Sequence, residues 1–211
     1  MLGKALLFSL LATSAASAAP SDSLTLVLNL PSYKLEVWEG SERIRDYWVT
    51  IGLPEHSTPT GTFRITRIEW NPRWVPPPSP WAEGKEEKGP GKGNPMGRVK
   101  LQFDEYLYVH GTWRPNELAG AYSHGCVRLK NEDALDLARL IALQTGAIAA
   151  REIDALERRS TRTRSVRLPQ AIPLRIRYDL TEEVDGEVVE HEDPYGWALP
   201  DQPAPLAPGL Q

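Results

Sequence analysis

The only cysteine of the chain lies in a segment whose side chains could make a thiol reactive. Residues 123–128 read SHGCVR, so Cys126 has His124 two positions before it and Arg128 two positions after it. A free thiol is only a few per cent ionised at neutral pH, and a nearby imidazole that takes its proton makes it a nucleophile. His110 and His124 are the two candidate bases. Arg128 could bind a substrate carboxylate through two hydrogen bonds.

An extended backbone through this segment would separate reactive side chains from core side chains. His124, Cys126 and Arg128 would then share one face, while Val127 and Leu129 would point to the other. Gly125 allows the backbone to bend, which could aim successive N–H groups at an oxyanion. This pattern would suit a cysteine that acts as a nucleophile.

Two other interpretations of the lone cysteine stay open on this evidence. Free cysteine is among the most buried residue types, so Cys126 could be an inert part of the core. Zinc is the other possibility, with Cys126, His110 and His124 as three ligands, although the sequence offers no second cysteine to complete the usual pattern.

The elements that must position these residues are predicted to be mainly strands. Four short alternating runs between Leu24 and Trp70 are typical of antiparallel strands: LTLVLNL, YKLEVWEG, RIRDYWVTIG and GTFRITRIEW. The turn between the last two contains His56, which we interpret as a solvated loop residue. A further strand is predicted from Arg98 to Gly111, so that His110 lies near its end.

A long loop precedes that strand. Residues 71–97 are rich in proline, glycine and charge and show no periodicity, and a loop of this length is expected to be functional or disordered. Trp74 and Trp81 favour a function, such as a lid over a cleft. They could instead pin the loop to the core, because a tryptophan buries a large area.

Helix and strand signals follow the cysteine segment. Asn131 is typical of a helix N-cap, and the apolar spacing behind it predicts an amphipathic helix that ends near Gly146. Beyond it we expect a charged helical turn at REIDALERR, strands at TRSVRLP and IPLRIRYDL, and a hairpin tip at Asp185–Gly186. The last dozen residues, with four prolines, are expected to be an unstructured tail.

The N-terminus and the composition limit where the chain works. Residues 1–18 read as a secretory signal peptide, cleaved after Ala18 or retained as an anchor. The apolar run is too short for a membrane helix and no second one follows, so no integral membrane segment is expected in the mature chain. A net charge of −4 argues against a nucleic-acid partner. One cysteine excludes an internal disulfide.

Several separated motifs resemble one known family. The segment YVHGT, followed by SHGCVRLKNEDALDL, is similar to the catalytic signature of the YkuD-type (YkuD/ErfK) L,D-transpeptidases, which remodel bacterial peptidoglycan. TPTGTF and the loop from NPRWVPPPSPW to GNPMG resemble earlier elements of the same family. The similarity covers roughly residues 24–146, which we predict to be the catalytic domain, followed by a C-terminal extension at 147–199 and a tail at 200–211.

The resemblance implies a fold and a set of roles. It implies a mostly β, L,D-transpeptidase-like β-sandwich with one main α-helix and a long lid-like loop, needing no cofactor or metal. Cys126 would be the nucleophile and His110 the general base, with the Gly111 carbonyl able to fix the tautomer of the base. The remaining roles would be oxyanion binding or shaping of the site (Gly125, His124, Ser123, Gly111) and substrate binding (Arg128, Trp74, Trp81).

The resemblance also implies a substrate and a location. The expected activity is a thioester-forming attack on a peptidoglycan tetrapeptide stem, with release of D-Ala and transfer of the acyl group to an amine of another stem or of a wall-anchored protein. The protein would be periplasmic or secreted to the cell wall. The alternatives are an L,D-carboxypeptidase, another cell-wall cysteine hydrolase, and a non-catalytic wall-binding module.

Overall fold

The structure, a computed structural model, describes residues 23–158, 161–184 and 186–197. The predicted signal peptide and tail therefore lie outside the described residues. No helix among the described residues is long and apolar enough to cross a membrane. The strands are β1 Leu24–Asn29, β2 Lys34–Glu39, β3 Glu42–Trp48, β4 Thr50–Gly52, β5 Gly61–Trp70, β6 Val99–Gln102, β7 Tyr108–Thr112, β8 Gly120–Ser123, β9 Val127–Lys130, β10 Arg164–Arg177, β11 Thr181–Val184 and β12 Glu187–Glu190. The helices are α1 Asn131–Gln144 and α2 Ala150–Arg158.

The predicted mostly β fold is confirmed. Ten strands form a sheet in the order β3-β2-β1-β10-β5-β6-β7-β9-β4-β8, and β11 and β12 form a separate hairpin. The antiparallel pairing expected between Leu24 and Trp70 is found for β1 with β2 and for β2 with β3, whereas β1 with β10, β7 with β9, and β4 with β8 are parallel pairs. Parallel pairs need longer connections than hairpins, and those connections carry the polar loops of the site.

One predicted strand is divided in a way that brings it to the site. The run RIRDYWVTIG is broken at Val49, whose N–H donates to the Tyr33 carbonyl at 2.9 Å while its own carbonyl accepts from Ala119 at 2.9 Å. The chain before the break, in β3, pairs with β2, whereas β4 after the break pairs with β8 and β9. The short strand β4 is thereby placed beside the cysteine segment.

The predicted strand from Arg98 to Gly111 is a hairpin instead. β6 and β7 pair antiparallel on either side of a turn at 103–107, where the Asp104 carboxylate accepts from the Glu105 N–H at 2.8 Å. In this register Lys100 lies directly opposite His110. The polar pair Asp104–Glu105, which can bond its own backbone, was the sequence signal for this turn.

The main helix α1 is found where it was predicted, but Asn131 is not its N-cap. Asn131 is the first helical residue, and its side chain accepts from the Arg98 N–H at 2.8 Å and donates to the Thr112 carbonyl at 2.9 Å. Leu137, Ala138 and Ile141 are fully buried and form the apolar face of the helix. The helix therefore stabilises the ends of β6 and β7 through both apolar packing and a buried amide.

The chain after Gly146 contributes to the main sheet. The two runs predicted as separate strands form one long strand, β10, which lies between β1 and β5 and has an irregularity between Arg167 and Ile172. The charged turn is the helix α2. Strands β11 and β12 pair as the predicted hairpin, although Asp185 at its tip lies outside the described residues. The domain boundary after Gly146 stays a prediction, and it does not coincide with an edge of the sheet.

Candidate active site

Cys126 lies at a bend rather than within a strand. β8 ends at Ser123 and β9 begins at Val127, so the predicted continuous strand through SHGCVR is wrong. The buried Ser123 hydroxyl donates to the Cys126 carbonyl at 2.5 Å and closes the bend. The alternation of faces therefore holds only from Val127 onward, and His124 does not stand beside Cys126 on a shared strand.

Gly125 is required by this bend. Its φ of +92° lies in the region that side-chain-bearing residues avoid, and an added Cβ would approach the Leu107 side chain to 3.1 Å. The carbonyl of Ser123 accepts from the Leu53 N–H at 2.9 Å, which ties the bend to the end of β4. Cys126 itself is partly buried, with its Sγ 3.8 Å from the Tyr106 carbonyl oxygen. The bend thus presents the thiol on a constrained backbone.

His110, the predicted base, lies on the strand next to β9. β7 and β9 are parallel neighbours, and His110 lies opposite Arg128, two residues beyond the cysteine. The ring is 3% exposed, and its Nδ1 lies 2.8 Å from the Gly111 carbonyl oxygen. A carbonyl can only accept, so Nδ1 carries the proton and Nε2 is left as an acceptor. The predicted contact with the Gly111 carbonyl is present, and the role of His110 as a base stays a prediction.

Asn131 supports the backbone that holds His110. A Cβ added to Gly111 would clash with the Asn131 amide oxygen, and one added to Gly97 would clash with both that oxygen and the Gly111 carbonyl. Because neither glycine has a side chain, the buried Asn131 amide can pack against the backbone of Gly111, whose carbonyl accepts from His110. The sequence did not reveal this contact, because it joins three segments that are far apart along the chain.

Burial keeps the Cys126 thiol and the His110 imidazole neutral at rest. Burial lowers the pKa of His110 to about 3, and the positive charges of Arg128 and Lys100 act in the same direction. Burial raises the pKa of the Cys126 thiol, although the Tyr108 backbone N–H, Arg128 and Lys100 partly oppose this. The resting pair is therefore thiol and imidazole rather than thiolate and imidazolium.

His124 has a different environment from His110. Its ring stacks on Trp81, with centroids 4.1 Å apart, and lies 4.6 Å from the ring of His56. Its pKa is lowered by burial and by the nearby charges of His56 and Lys85. His56, predicted to be a solvated loop residue, is exposed but forms part of this stack. The three rings join the bend, the loop after β4 and the long loop.

The two tryptophans of the long loop are buried to different extents. Trp74 is 8% exposed, and its backbone exchanges hydrogen bonds of 2.8 and 2.9 Å with Lys88. The buried Asn94 side chain donates to the Pro72 carbonyl at 2.8 Å and folds the loop around itself. Trp81 is partly exposed next to His124. The burial of Trp74 fits a role in anchoring the loop. Contact of Trp74 or Trp81 with substrate stays a prediction.

Arg128 is already paired. Its guanidinium lies 2.8 Å from the Glu117 carboxylate, which also accepts from Arg114 at 3.0 Å. Both side chains of the Arg128–Glu117 pair are largely buried. A substrate carboxylate bound by Arg128, as predicted, would have to share or replace Glu117. Sequence reasoning missed Glu117 because no pattern links it to the cysteine segment.

The zinc interpretation requires Cys126, His110 and His124 to form one cluster. Within the described ranges, no three His, Cys, Asp or Glu side chains group closely enough to hold a metal ion. The stacking of His124 on Trp81 gives that histidine a different set of neighbours from the buried His110.

Comparison with known proteins agrees with these features. The profile of the family described as the L,D-transpeptidase catalytic domain (YkuD) matches residues 23–153. The chain is 26% identical over 117 residues to the putative L,D-transpeptidase YkuD of Bacillus licheniformis, covering 55% of this chain and 59% of that protein. It is 30% identical over 117 residues to the probable L,D-transpeptidase YbiS of Escherichia coli K12, covering 51% and 38%. The chain thus spans about half the length of the curated relatives it matches.

Solved structures of similar proteins include L,D-transpeptidase 3 from Mycobacterium tuberculosis, with a TM-score of 0.48, 15% identity, and coverage of 74% of this chain and 61% of that one. An L,D-transpeptidase from Mycobacterium smegmatis gives a TM-score of 0.47 and 18% identity, with 74% and 58% covered. The profile match, which extends over more than half of the chain, decides the assignment. This protein belongs to the L,D-transpeptidase catalytic domain family.

Proposed function

We propose that this protein is a peptidoglycan L,D-transpeptidase in which Cys126 is the nucleophile and His110 the general base. The observation that carries the proposal is the 2.8 Å hydrogen bond from His110 Nδ1 to the Gly111 carbonyl. Both residues lie on β7, which pairs with β9, the strand that begins directly after Cys126. That bond leaves Nε2 unprotonated and able to take the thiol proton. A neutral base next to a neutral thiol suits attack with concerted proton transfer.

The proposed reaction has two halves that use the same groups. The thiol proton moves to His110 Nε2 as sulfur attacks the carbonyl of the third residue of a tetrapeptide stem, and the backbone N–H groups of the bend at Gly125 and Cys126 bind the oxyanion. The imidazolium then protonates the leaving D-Ala nitrogen, and a thioester remains. An acceptor amine attacks the thioester, gives its proton back through His110, and releases the thiol.

The other parts of the site receive supporting roles in this proposal. The loop of residues 71–97 would cover the bound stem, because Trp81 reaches the stack beside the cysteine bend. The site residues require no metal or cofactor for acyl transfer by this route. A protein acting on stems must reach the cell wall, so we propose a periplasmic or secreted location, in keeping with the signal peptide expected at residues 1–18.

Covalent labelling tests the nucleophile. A carbapenem, which resembles the acyl donors this family accepts, should add its mass to the intact protein, whereas the Cys126→Ala variant should stay unmodified. An Arg64→Gln variant, altered at an exposed position of β5, serves as a folded control that should be labelled normally. A wild-type protein that remains unmodified after long incubation would contradict the assignment of Cys126.

Product analysis tests the fate of the thioester. Purified tetrapeptide stems should give cross-linked dimers and free D-Ala, while tripeptide alone would indicate an L,D-carboxypeptidase in which water intercepts the thioester. Digestion of labelled cell wall, followed by muropeptide analysis, would reveal a hydrolase that cleaves another bond of the wall. Wall binding without any product would indicate a non-catalytic module.

A further inference from the structure

The C-terminal extension contacts the loop that borders the cysteine bend. Its residues 193–197 lie beyond the predicted catalytic domain and have no role in the proposed reaction. The buried Tyr195 hydroxyl oxygen accepts a hydrogen bond from the Thr58 N–H at 3.2 Å, and the two residues are 137 positions apart in the chain. Thr58 belongs to the 53–60 loop, which follows β4. This contact therefore joins the end of the described chain to the neighbourhood of the site.

The 53–60 loop lies directly against the bend that carries Cys126. The Leu53 N–H donates to the Ser123 carbonyl at 2.9 Å, and the Ser123 hydroxyl in turn donates to the Cys126 carbonyl at 2.5 Å. A Cβ added to Gly125 would lie 3.5 Å from the Ser57 carbonyl oxygen, so the backbones of the loop and the bend are in contact. A shift of this loop would therefore shift the backbone that presents the thiol.

Thr58 connects Tyr195 to β4. The Thr58 hydroxyl oxygen accepts from the Gly52 N–H at 2.9 Å, and Gly52 lies opposite Ser123 in the pairing of β4 with β8. A Cβ added to Gly52 would approach the Thr58 backbone nitrogen to 2.7 Å, so a glycine is required for this close contact. Both hydrogen bonds of Thr58 are buried. Two buried hydrogen bonds thus link Tyr195 to the strand that pairs with Ser123.

Tyr195 is itself fixed by a cluster of aromatic rings. The ring centroids of Tyr178, Tyr195 and Trp197 lie 4.7, 4.8 and 5.6 Å apart. The Tyr178 hydroxyl accepts from the Tyr195 N–H at 2.9 Å and donates to the Asp193 carboxylate, which also accepts from the Trp197 N–H at 3.1 Å. Tyr178 directly follows β10, the long strand between β1 and β5. The main sheet therefore anchors the segment that carries Tyr195.

We propose that Tyr195 is a positioning residue for the proposed reaction: through Thr58 it holds the 53–60 loop, and that loop fixes the bend on which Cys126 attacks. The inference rests on the proposed function, since it takes Cys126 to be the nucleophile. Tyr195 acts through the backbone of the bend and takes no part in proton transfer. Its removal should slow acylation because attack requires the sulfur in a narrow range of positions.

Replacement of Tyr195 by phenylalanine tests the proposal. Tyr195→Phe keeps the ring in the cluster and removes only the oxygen that accepts from Thr58. Acylation of Cys126 by a carbapenem, followed by intact mass, should slow about threefold to tenfold, the scale of one hydrogen bond. The final labelled fraction counts the reactive molecules, so the rate refers to those alone.

Tyr47→Phe is the matched control. Tyr47 is also a buried ring whose hydroxyl makes a hydrogen bond, but its partner is the Asp136 carboxylate of α1, at 2.6 Å. This variant should lose some stability and acylate at the wild-type rate. A lowered melting temperature of Tyr195→Phe with an unchanged acylation rate would overturn the inference, because Tyr195 would then stabilise the fold without positioning the bend.

Two variants of Thr58 test the path from Tyr195 to the bend. Thr58→Val removes the oxygen that accepts from Gly52 and should slow acylation by a similar factor, whereas Thr58→Ser keeps an acceptor and should react at nearly the wild-type rate. When Tyr195→Phe and Thr58→Val are combined, the slowing should be smaller than the product of the two separate factors, because both changes break one path. Slowing equal to that product would contradict the shared path.

Amide hydrogen exchange of the ligand-free protein separates local positioning from general destabilisation. In Tyr195→Phe, the N–H groups of Gly52 and Leu53 should exchange about threefold or more faster relative to those of α1, because only the loop and its neighbours are loosened. An increase of the same size in both regions would overturn the inference. If the wild-type protein is not acylated at all, the proposed function fails, whereas this exchange comparison still decides whether Tyr195 holds the loop.

Discussion

The site has two halves that are built differently. On the sheet side, His110 is buried on β7 and bonded through Nδ1 to its neighbour's carbonyl, with Asn131 behind it. On the loop side, His124 lies in a bend and is held by ring stacking with Trp81 and His56, two residues from separate loops. One histidine is fixed by hydrogen bonds within regular structure, and the other by contacts between loops.

Because of this difference, we expect the two halves to have different tasks. Proton transfer requires a base held within hydrogen-bond reach in one tautomer, which a strand and a backbone carbonyl provide. Substrate enclosure requires surfaces that can adjust, which loops and stacked rings provide. The comparison therefore predicts that changes on the sheet side affect the rate of chemistry and that changes on the loop side affect substrate use.

Replacement of the two histidines should give the largest contrast. His110→Ala should slow acylation of Cys126 by about 10² or more, the scale of lost general base catalysis. His124→Ala should cost less and act mainly through substrate binding or the oxyanion loop. Stopped-flow acylation rates of both variants over a range of pH measure this. A dead His124→Ala variant together with a near-normal His110→Ala variant would reverse the two roles.

Removal of the amide behind His110 should weaken the sheet side without touching either reacting group. Asn131→Ala leaves the Arg98 N–H and the Thr112 carbonyl without their buried partner, which should cost about 2–4 kcal/mol of unfolding free energy. Acylation should also slow in the protein that remains folded, because Gly111 is less firmly held. Urea unfolding and acylation rates measure both effects. Asn131→Asp keeps an acceptor for Arg98 but turns a carboxylate oxygen toward the Thr112 carbonyl, so it should also lose stability.

Replacement of Trp81 should lower mainly turnover, whereas replacement of Trp74 should lower mainly stability. Trp81→Ala should lower turnover of stems about tenfold with little change in melting temperature, since one aromatic stack is worth roughly 1 kcal/mol and the ring is partly exposed. Trp74→Ala removes a buried ring and should cost about 3–5 kcal/mol of stability. If Trp81→Ala instead unfolds the protein while the remaining folded fraction turns over normally, Trp81 belongs to the core and the loop is not a lid.

The sequence was most informative where the chemistry is local. The apolar faces of the strands and of α1 were recognisable because each depends on neighbouring residues, whereas the choice of His110 as the base of Cys126 came from the resemblance to a known family. The bend at Gly125 was anticipated as a possibility, but strand alternation was also applied to His124 and Cys126, which lie between the end of β8 and the start of β9. Alternation ceases to apply once one residue adopts a positive φ.

Contacts between distant segments were not predictable in the same way. Lys100 faces His110 only because residues 98–111 fold back as a hairpin, and Glu117 reaches Arg128 from a separate loop. Asn131 is a residue type typical of an N-cap. Its side chain instead bonds the backbone of Arg98 and Thr112, because Gly97 and Gly111 leave room for it. Each of these depends on packing that no local pattern records.

The state of His110 in the resting protein is the central claim, and nitrogen NMR of ¹⁵N-histidine-labelled protein measures it most directly. We expect the His110 ring to have hydrogen on Nδ1 and none on Nε2, and to stay neutral as the pH falls from 8 to about 4, because its pKa is lowered to about 3. A His110 ring that is protonated on Nε2 at neutral pH, or that titrates near 6.5, would contradict the assignment of His110 as a preformed neutral base.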